Sequence, residues 1–517
     1  LFSQERQPKV GLVLSGGGAK GFAHIGVLEE LEKAGVQIDY IGGTSMGAII
    51  GGLYASGYNS DQIKYVVDKT DFNSLLRDEI PRREKPFFEK AYKEKHAISL
   101  PIKKGSIGLP LGLSKGQNVL NFLTELLAPV DDISDFSKLP IPFFCIATNI
   151  ETGGQVILDK GDLAQSILAS GALPSLFQPV IIENQVLIDG GVVNNYPVDE
   201  LRAKGMDVII GVDVQDDLRN RDDLTSAPEV LIQINNFRTI NDMKLKEEKT
   251  DIYIKPDIID FNVVSFSDGS EIIENGIEAT IGQLTALQAL AHKRQDHVNT
   301  EFKPGVVDSI KINHVHIKGN NKYTRAYVLG KLRLKENETT SYEDFKKGMN
   351  RLEATSNFDA INYKFKKTGN NDGYDLIAEV KESPITTFLK LGLHYDDLYK
   401  SAALINLTKK RLFFKNDEAS LDFILGDNVR YNFEYLIDRG FYWSIGLRSR
   451  YNQFDKNINT LLLIDDPARI NAAGINKIDV KLKDFTNQFY VQTLFRKDFA
   501  LSLGAEHKRL EIKSETI

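Results

Sequence analysis

Cysteine is almost missing from these 517 residues: Cys145 stands alone, so no disulfide closes within the chain. It lies in the apolar run Pro142–Ala147 and reads as a small buried residue. Histidine is scarce too, with eight residues and no HxxxH or HExxH spacing, so a metalloenzyme is not expected; no cofactor is expected either. Long hydrophobic runs are lacking. The longest weakly polar stretch, Ile41 to Ala55, has 15 residues and five glycines, too short and too flexible for a membrane-spanning helix. Positive charge is not in excess: 64 Lys and Arg face 71 Asp and Glu, a net −7 that argues against a nucleic-acid partner. An export signal is also missing. The opening Leu-Phe-Ser-Gln-Glu-Arg-Gln has neither a charged start nor an apolar core, and no initiating Met, so a processed or trimmed N-terminus is expected and the compartment stays open.

What is present is ordinary for folded protein, 42% hydrophobic and 26% charged, at a length that calls for two or three domains. Residues 9–300 read as α/β. Short apolar runs predict strands at Val10–Leu14, Tyr40–Gly43, Pro142–Thr148, Val186–Ile188 and Val208–Val212. Helical patterns lie between them, as at Ile25, Leu28 and Leu31, which implies a mainly parallel sheet covered on both faces. From Asp71 to Gly116 the pattern breaks around Pro81, Pro86, Pro101 and Pro110. This part reads as an insertion outside the sheet, near the mouth of the site. Phe72, Leu75, Leu76, Phe87, Phe88 and Tyr92 stand there beside Arg82, Arg83, Lys85, Lys90, Lys93 and Lys95, which suits either a mobile lipid-facing flap or a solvated insertion.

Residues 310–383 predict a strand at Ile310–Lys318, helices at Tyr323–Leu332 and Tyr342–Thr355, and strands at Ile361–Lys367 and Tyr374–Lys381 joined by a Gly-Asn-rich turn. Beyond residue 385 the period is two. Leu389, Leu391, Leu393 and Tyr395 alternate with Lys390, Gly392 and His394, and Val429, Tyr431, Phe433 and Tyr435 alternate with Arg430, Asn432 and Glu434. About eight such strands are expected. A transmembrane barrel alternates this way, apolar toward lipid and polar toward the lumen. A soluble sandwich, apolar toward its core, also alternates.

Three blocks carry chemistry. Gly43-Thr44-Ser45-Met46-Gly47 is a GxSxG turn between an apolar run and a helical stretch, Ala48 to Ser56, the setting that exposes a nucleophilic hydroxyl. Alone it is also compatible with a plain tight turn. The strand Val10–Leu14 runs into Ser15-Gly16-Gly17-Gly18-Ala19-Lys20-Gly21, whose amides suit an oxyanion hole. A phosphate cradle is the competing reading, although the spacing is not GxGxxG and Tyr40 stands where an acidic residue would. Ile188-Asp189-Gly190-Gly191 puts an acid at a strand end. No histidine follows in the usual hydrolase order, so Asp189 is either the direct base for Ser45 or a turn aspartate.

In this order the three blocks resemble the patatin-like phospholipases, and Ala169 to Pro179 resembles a further block of that family. The resemblance implies a three-layer α/β/α fold, acyl-ester hydrolysis on phospholipid or another acyl lipid, and no metal. By position it makes Ser45 nucleophile and Asp189 base, Gly16, Gly17 and Gly18 the oxyanion loop, and Lys20, Gly21, Gly43, Gly47, Gly190 and Gly191 supporting motif positions. His24 falls at a structural position of the first helix, and Ser15 replaces the Asp of many relatives. Residues 306–383 resemble a POTRA domain, and the whole layout is similar to patatin-like proteins fused to a POTRA unit and an outer-membrane β-barrel, the type Vd autotransporters. The expected division is 1–305 hydrolase, 306–383 POTRA-like and 384–517 strands of an incomplete barrel, short of the usual sixteen or so. The implied location is a bacterial outer membrane, with the hydrolase periplasmic or surface-exposed and a homo-oligomer or outer-membrane protein as partner. The alternative is a non-catalytic structural or assembly component of an outer-membrane complex.

Overall fold

The computed structural model describes residues 7–85, 95–108, 112–215, 218, 220–224, 227–291, 309–368, 373–438, 443–459, 477–495 and 499–514. Two compact units are present, one centred on an α/β sheet and one on an antiparallel sheet of the C-terminal residues.

The α/β sheet runs in the order Ile252–Ile254, Val208–Val212, Val10–Leu14, Tyr40–Thr44, Phe143–Asn149, Gln185–Asp189, Val180–Ile182, with Gln155–Leu158 also pairing to Phe143–Asn149. Its first five strands are parallel, and those after Phe143–Asn149 are antiparallel. Successive residues of the central strands feed opposite faces, as strand geometry requires. Leu12, Leu14, Ile41, Phe143 and Cys145 enter a core with Ile25 and Leu28 of the Ala23–Lys33 helix and Ile167 of the Leu163–Ser170 helix. Val13, Tyr40, Phe144 and Ile146 enter a second core with Val198 and Leu201 of the Val198–Ala203 helix and Met243 of the Ala227–Glu247 helix. Helices therefore cover both faces in a three-layer α/β/α arrangement.

The register positions the site. Thr44 lies opposite Ile146, and Asp189 lies opposite Ala147 on the other flank of the same strand. Residues 45 and 189 thus leave the sheet at one height, with a single strand between them. The Met46–Ala55 helix closes tightly on this edge, because a Cβ on Gly47 would lie 2.2 Å from the Leu14 carbonyl oxygen.

Four strands in the order Glu338–Ser341, Ser309–Lys318, Tyr374–Glu382, Phe358–Lys367, with helices Arg325–Leu332 and Tyr342–Ala354, make up the POTRA-like segment expected from the sequence. The short Glu338–Ser341 strand was not anticipated: Glu-Thr-Thr-Ser has no apolar member, and it pairs on one side only. The turn at 369–372 lies outside the described residues.

The C-terminal sheet holds seven strands from Thr387–Asp396 to Phe499–Ser514 among the described residues, each antiparallel to the next. Lys400–Lys410 escaped notice because its alternation is Ala, Leu, Asn, Thr against Ala, Ile, Leu, too weak a contrast. The insertion stays out of the α/β sheet, as expected, but it is not without strands. Ile98–Lys103 and Ser106–Ile107 form a hairpin that adds to Thr387–Asp396 in the C-terminal unit. Pro101 within the strand had hidden it. The flap reading also fails for its first turn. Phe72 stacks on Phe266 with ring centroids 5.1 Å apart and sits 5.2 Å from Phe22, and Leu75 and Leu76 are partly buried against the core. Phe87, Phe88, Lys90, Tyr92 and Lys93 lie outside the described residues.

Polarity in this sheet is inverted relative to a water-soluble protein. Leu393 is 89% exposed and Leu503 79%, with Phe423, Trp443, Leu447 and Phe489 also exposed. Lys390, Asn406, Asp422, Arg430 and Glu434 are buried on the other face. There Asn406 donates to Asp422 at 2.6 Å, and Arg448 meets Glu434 at 3.0 Å.

Gly47→Ala tests the close approach beneath the Ser45 turn. The added methyl has carbonyl backbone on one side and no flexible side chain to displace, so the expected cost is about 2–3 kcal/mol. Thermal unfolding of the variant should fall by several degrees, and an unchanged Tm would show that the helix is not seated as described.

Candidate active site

Ser45 occupies the sharp turn between Tyr40–Thr44 and Met46–Ala55 with φ 54° and ψ −121°, a strained backbone for any residue other than glycine. Two bonds oppose that strain. The Ser45 N–H donates to Ser170 Oγ at 3.0 Å, and Ser170, wholly buried at the end of the Leu163–Ser170 helix, donates its own hydrogen to the Ile146 carbonyl. The Ser45 carbonyl accepts from Ala48 and Ile49 in the first helical turn. The hydroxyl is thereby presented at the helix N-terminus, where the backbone dipole favours negative charge.

Ser45 Oγ donates to Asp189 Oδ2 at 2.7 Å. Asp189 Oδ1 accepts from the Gly191 N–H at 2.7 Å, so the Asp-Gly-Gly sequence is the local reason the carboxylate is aimed correctly. Asp189 is only 4% exposed, and burial pushes its pKa up to about 6, partly offset by the Ser45 hydroxyl and the Gly191 amide. A carboxylate poised there is ionised at neutral pH yet basic enough to accept a proton.

The glycine loop packs beside this pair. Gly18 has φ 59°, and a Cβ on it would fall 2.4 Å from the Val263 carbonyl oxygen, so only glycine fits. Val263 accepts from the Ala19 N–H at 3.0 Å and so holds the far end of the loop. Gly21 lies against Met46, the residue after Ser45, and Gly190 lies against Ile146. Lys20 is buried in the same 18–22 turn.

The histidines take other places. His24 is wholly buried, and its Nε2 donates to the Ser15 carbonyl at 2.8 Å. Burial lowers its pKa to about 4, so it stays neutral and braces the loop. His96 meets Asp422 at 3.2 Å in the C-terminal unit. His292 and His297 lie outside the described residues. Ser15 keeps a structural task, its hydroxyl accepting from the Val214 N–H at 2.8 Å. Sequence reasoning missed Ser170, Asn195 and Val263 as members of this site. Ser170 stands inside a block quoted for its resemblance, which was the one available signal.

Family models match three stretches: the patatin-like phospholipase model residues 12–202, the surface antigen variable number repeat (POTRA) model 310–383, and the OMP85 superfamily model 374–517. The chain carries patatin, POTRA and OMP85-superfamily domains in that order. Among curated relatives, Lysophospholipase NTE1 of Candida albicans is 33% identical over 207 residues, 40% of this chain and 13% of that protein. Lysophospholipase NTE1 of Meyerozyma guilliermondii is 29% identical over 297 residues, 52% of this chain and 18% of that protein. The chain thus spans less than a fifth of the length of these two relatives. Among solved structures, VipD from Legionella pneumophila is 18% identical with a TM-score of 0.32, covering 54% of this chain and 67% of its own. BamA from Haemophilus ducreyi lacking POTRA domains 1–3 is 18% identical with a TM-score of 0.26, covering 39% and 36%.

The Asp189 environment sets a pH dependence. With Asp189 in its expected role as base for Ser45, only the ionised carboxylate is competent, and kcat/KM for an ester should fall about tenfold per unit below pH 6. Stability runs the other way. The folded pKa is raised from 3.8, so the contribution to stability is full below about pH 4 and is lost as pH rises through about 6. Asp189→Asn should therefore be more stable than the parent at pH 8, by roughly 2–3 kcal/mol for a two-unit shift, with the difference vanishing near pH 4. Calorimetry across that range checks it, and a variant less stable than the parent at pH 8 would contradict the buried charge.

Proposed function

We propose that this chain is a lipid acyl-hydrolase of the phospholipase A or lysophospholipase type, working through a Ser45–Asp189 dyad and tethered to a bacterial outer membrane. The observation that carries it is the 2.7 Å bond from the Ser45 hydroxyl to a buried carboxylate, beside a glycine loop. The patatin-like phospholipase match and the lysophospholipase name of its relatives support the substrate class.

In the proposed cycle Ser45 Oγ attacks the acyl carbonyl carbon while its proton passes to Asp189 Oδ2. The carbonyl oxygen becomes an oxyanion facing the loop amides. Collapse breaks the bond to the leaving alkoxide, which takes the proton back from Asp189 and departs as an alcohol. A water molecule then attacks the acyl-serine, giving its proton to Asp189. Collapse of the second intermediate releases the fatty acid and restores the serine with that proton. No histidine is needed, since one carboxylate serves as base and then acid in each half-reaction.

The test is fatty-acid release by the whole chain in detergent, measured over a panel of phospholipids and lysophospholipids. Ser45→Ala should fall to background with an unchanged circular dichroism spectrum. Substantial turnover by the folded variant would overturn the assignment.

Membrane tethering rests on the inverted polarity of the C-terminal sheet and on the OMP85-superfamily match. An outward arginine near mid-bilayer costs roughly 2–4 kcal/mol. Leu393→Arg and Phe423→Arg should reduce assembly into lipid vesicles, scored by protease protection of the C-terminal strands. Assembly at the parental yield would count against a lipid-facing surface.

A further inference from the structure

Three segments meet at the dyad, and the bonds that tie them together come from two adjacent asparagines downstream of the aspartate. Asn194 accepts the Thr44 hydroxyl through its backbone carbonyl at 3.1 Å, joining the 189–195 segment to the residue before the nucleophile. Asn195 reaches the glycine loop. Its Nδ2 donates to the Gly16 carbonyl at 3.0 Å, while its Oδ1 accepts from the Gly16 N–H at 3.2 Å. The Asn195 backbone carbonyl also lies 3.4 Å from that N–H. The carboxamide touches the aspartate turn as well, because a Cβ on Gly191 would fall 2.8 Å from Asn195 Oδ1. A Cβ on Gly16 would meet the same atom at 2.4 Å and Ser45 Cβ at 2.8 Å. One side chain is thus wedged between the loop that faces the nucleophile and the turn that aims the base.

This arrangement divides the three glycines. Both polar groups of Gly16 are committed to Asn195. The Gly17 and Gly18 N–H groups have no acceptor among the described residues. Ala19, next along, is committed to Val263. Gly17 and Gly18 thus keep unengaged amides, and their direction depends on the anchored residue just before them.

We propose that Asn195 is a positioning residue for the oxyanion hole: it pins Gly16 to the Asp189 turn and leaves Gly17 and Gly18 as the donor pair. The proposal rests on the hydrolase reading above. Asn195 touches no substrate in this scheme. It acts through the loop, and its effect should appear where negative charge develops rather than where substrate first binds.

Steady-state kinetics of the whole chain in detergent on a short-chain p-nitrophenyl ester and on a lysophospholipid test this. Asn195→Ala removes both bonds. Asn195→Asp keeps the shape and the acceptor but sets a carboxylate against the Gly16 carbonyl. Each should lower kcat at least about 30-fold on both substrates with KM within about threefold, at a Tm within a few degrees of the parent. An active parent whose folded variants keep kcat, or lose activity through KM alone, overturns the proposal and leaves the dyad standing. A parent inert on every ester overturns the hydrolase reading and this proposal together. Asn195→Asp, nearly isosteric with the native side chain, carries the test if Asn195→Ala does not fold.

Discussion

Everything at the site depends on keeping one carboxylate dry. Asp189 lies at the end of a strand, where its carboxylate takes two donors among the described residues, a serine hydroxyl and a glycine amide, and burial makes its charged form costly. Exposed to water, the same group would titrate near its ordinary value and be a poor base. The dryness comes from the sheet. Residues 45 and 189 emerge on either side of one central strand, and the Met46–Ala55 and Leu163–Ser170 helices, packed on that face, contribute to the larger core. The strained serine backbone, the contact at Gly47 and the brace from Ser170 all follow from bringing a helix start so near a strand end.

The parts of this site legible in the sequence were those encoded locally. Gly43–Gly47 announces a turn because small residues interrupt an apolar run just before a helical pattern. Asp189-Gly190-Gly191 announces an acid that can bond the amide two residues on. Ser170 and Asn195 were not legible as site members, since their partners lie 125 and 179 residues away. Nothing in their neighbourhood says which strand they will face. The same limit applies to the fold. Apolar runs set off by their neighbours, such as Val10–Leu14 and Val208–Val212, could be read directly. Ile252–Ile254, with three residues, and Ile98–Lys103, interrupted by proline, form through pairing with a neighbour rather than through their own pattern.

The C-terminal sheet obeys the same strand geometry with the opposite sign. In the α/β unit, alternate positions of a strand supply two dry cores. In the C-terminal unit, one set of alternate positions is apolar and exposed, and the other is polar, buried and cross-linked by hydrogen bonds such as Asn406 to Asp422. Alternation alone does not distinguish a barrel from a sandwich. The buried lysine, arginine, aspartate and glutamate do, because a water-soluble core has no use for them.

The central claim is that Asp189 alone activates Ser45. The most direct measurement is the rate at which a fluorophosphonate modifies Ser45, followed by intact mass and peptide mapping, in the parent, Asp189→Asn and His24→Phe proteins. A single adduct on Ser45 is predicted, slowed by at least about 100-fold in Asp189→Asn and retained in His24→Phe. Labelling at the parental rate in Asp189→Asn, or its loss only when His24 is replaced, would contradict the account.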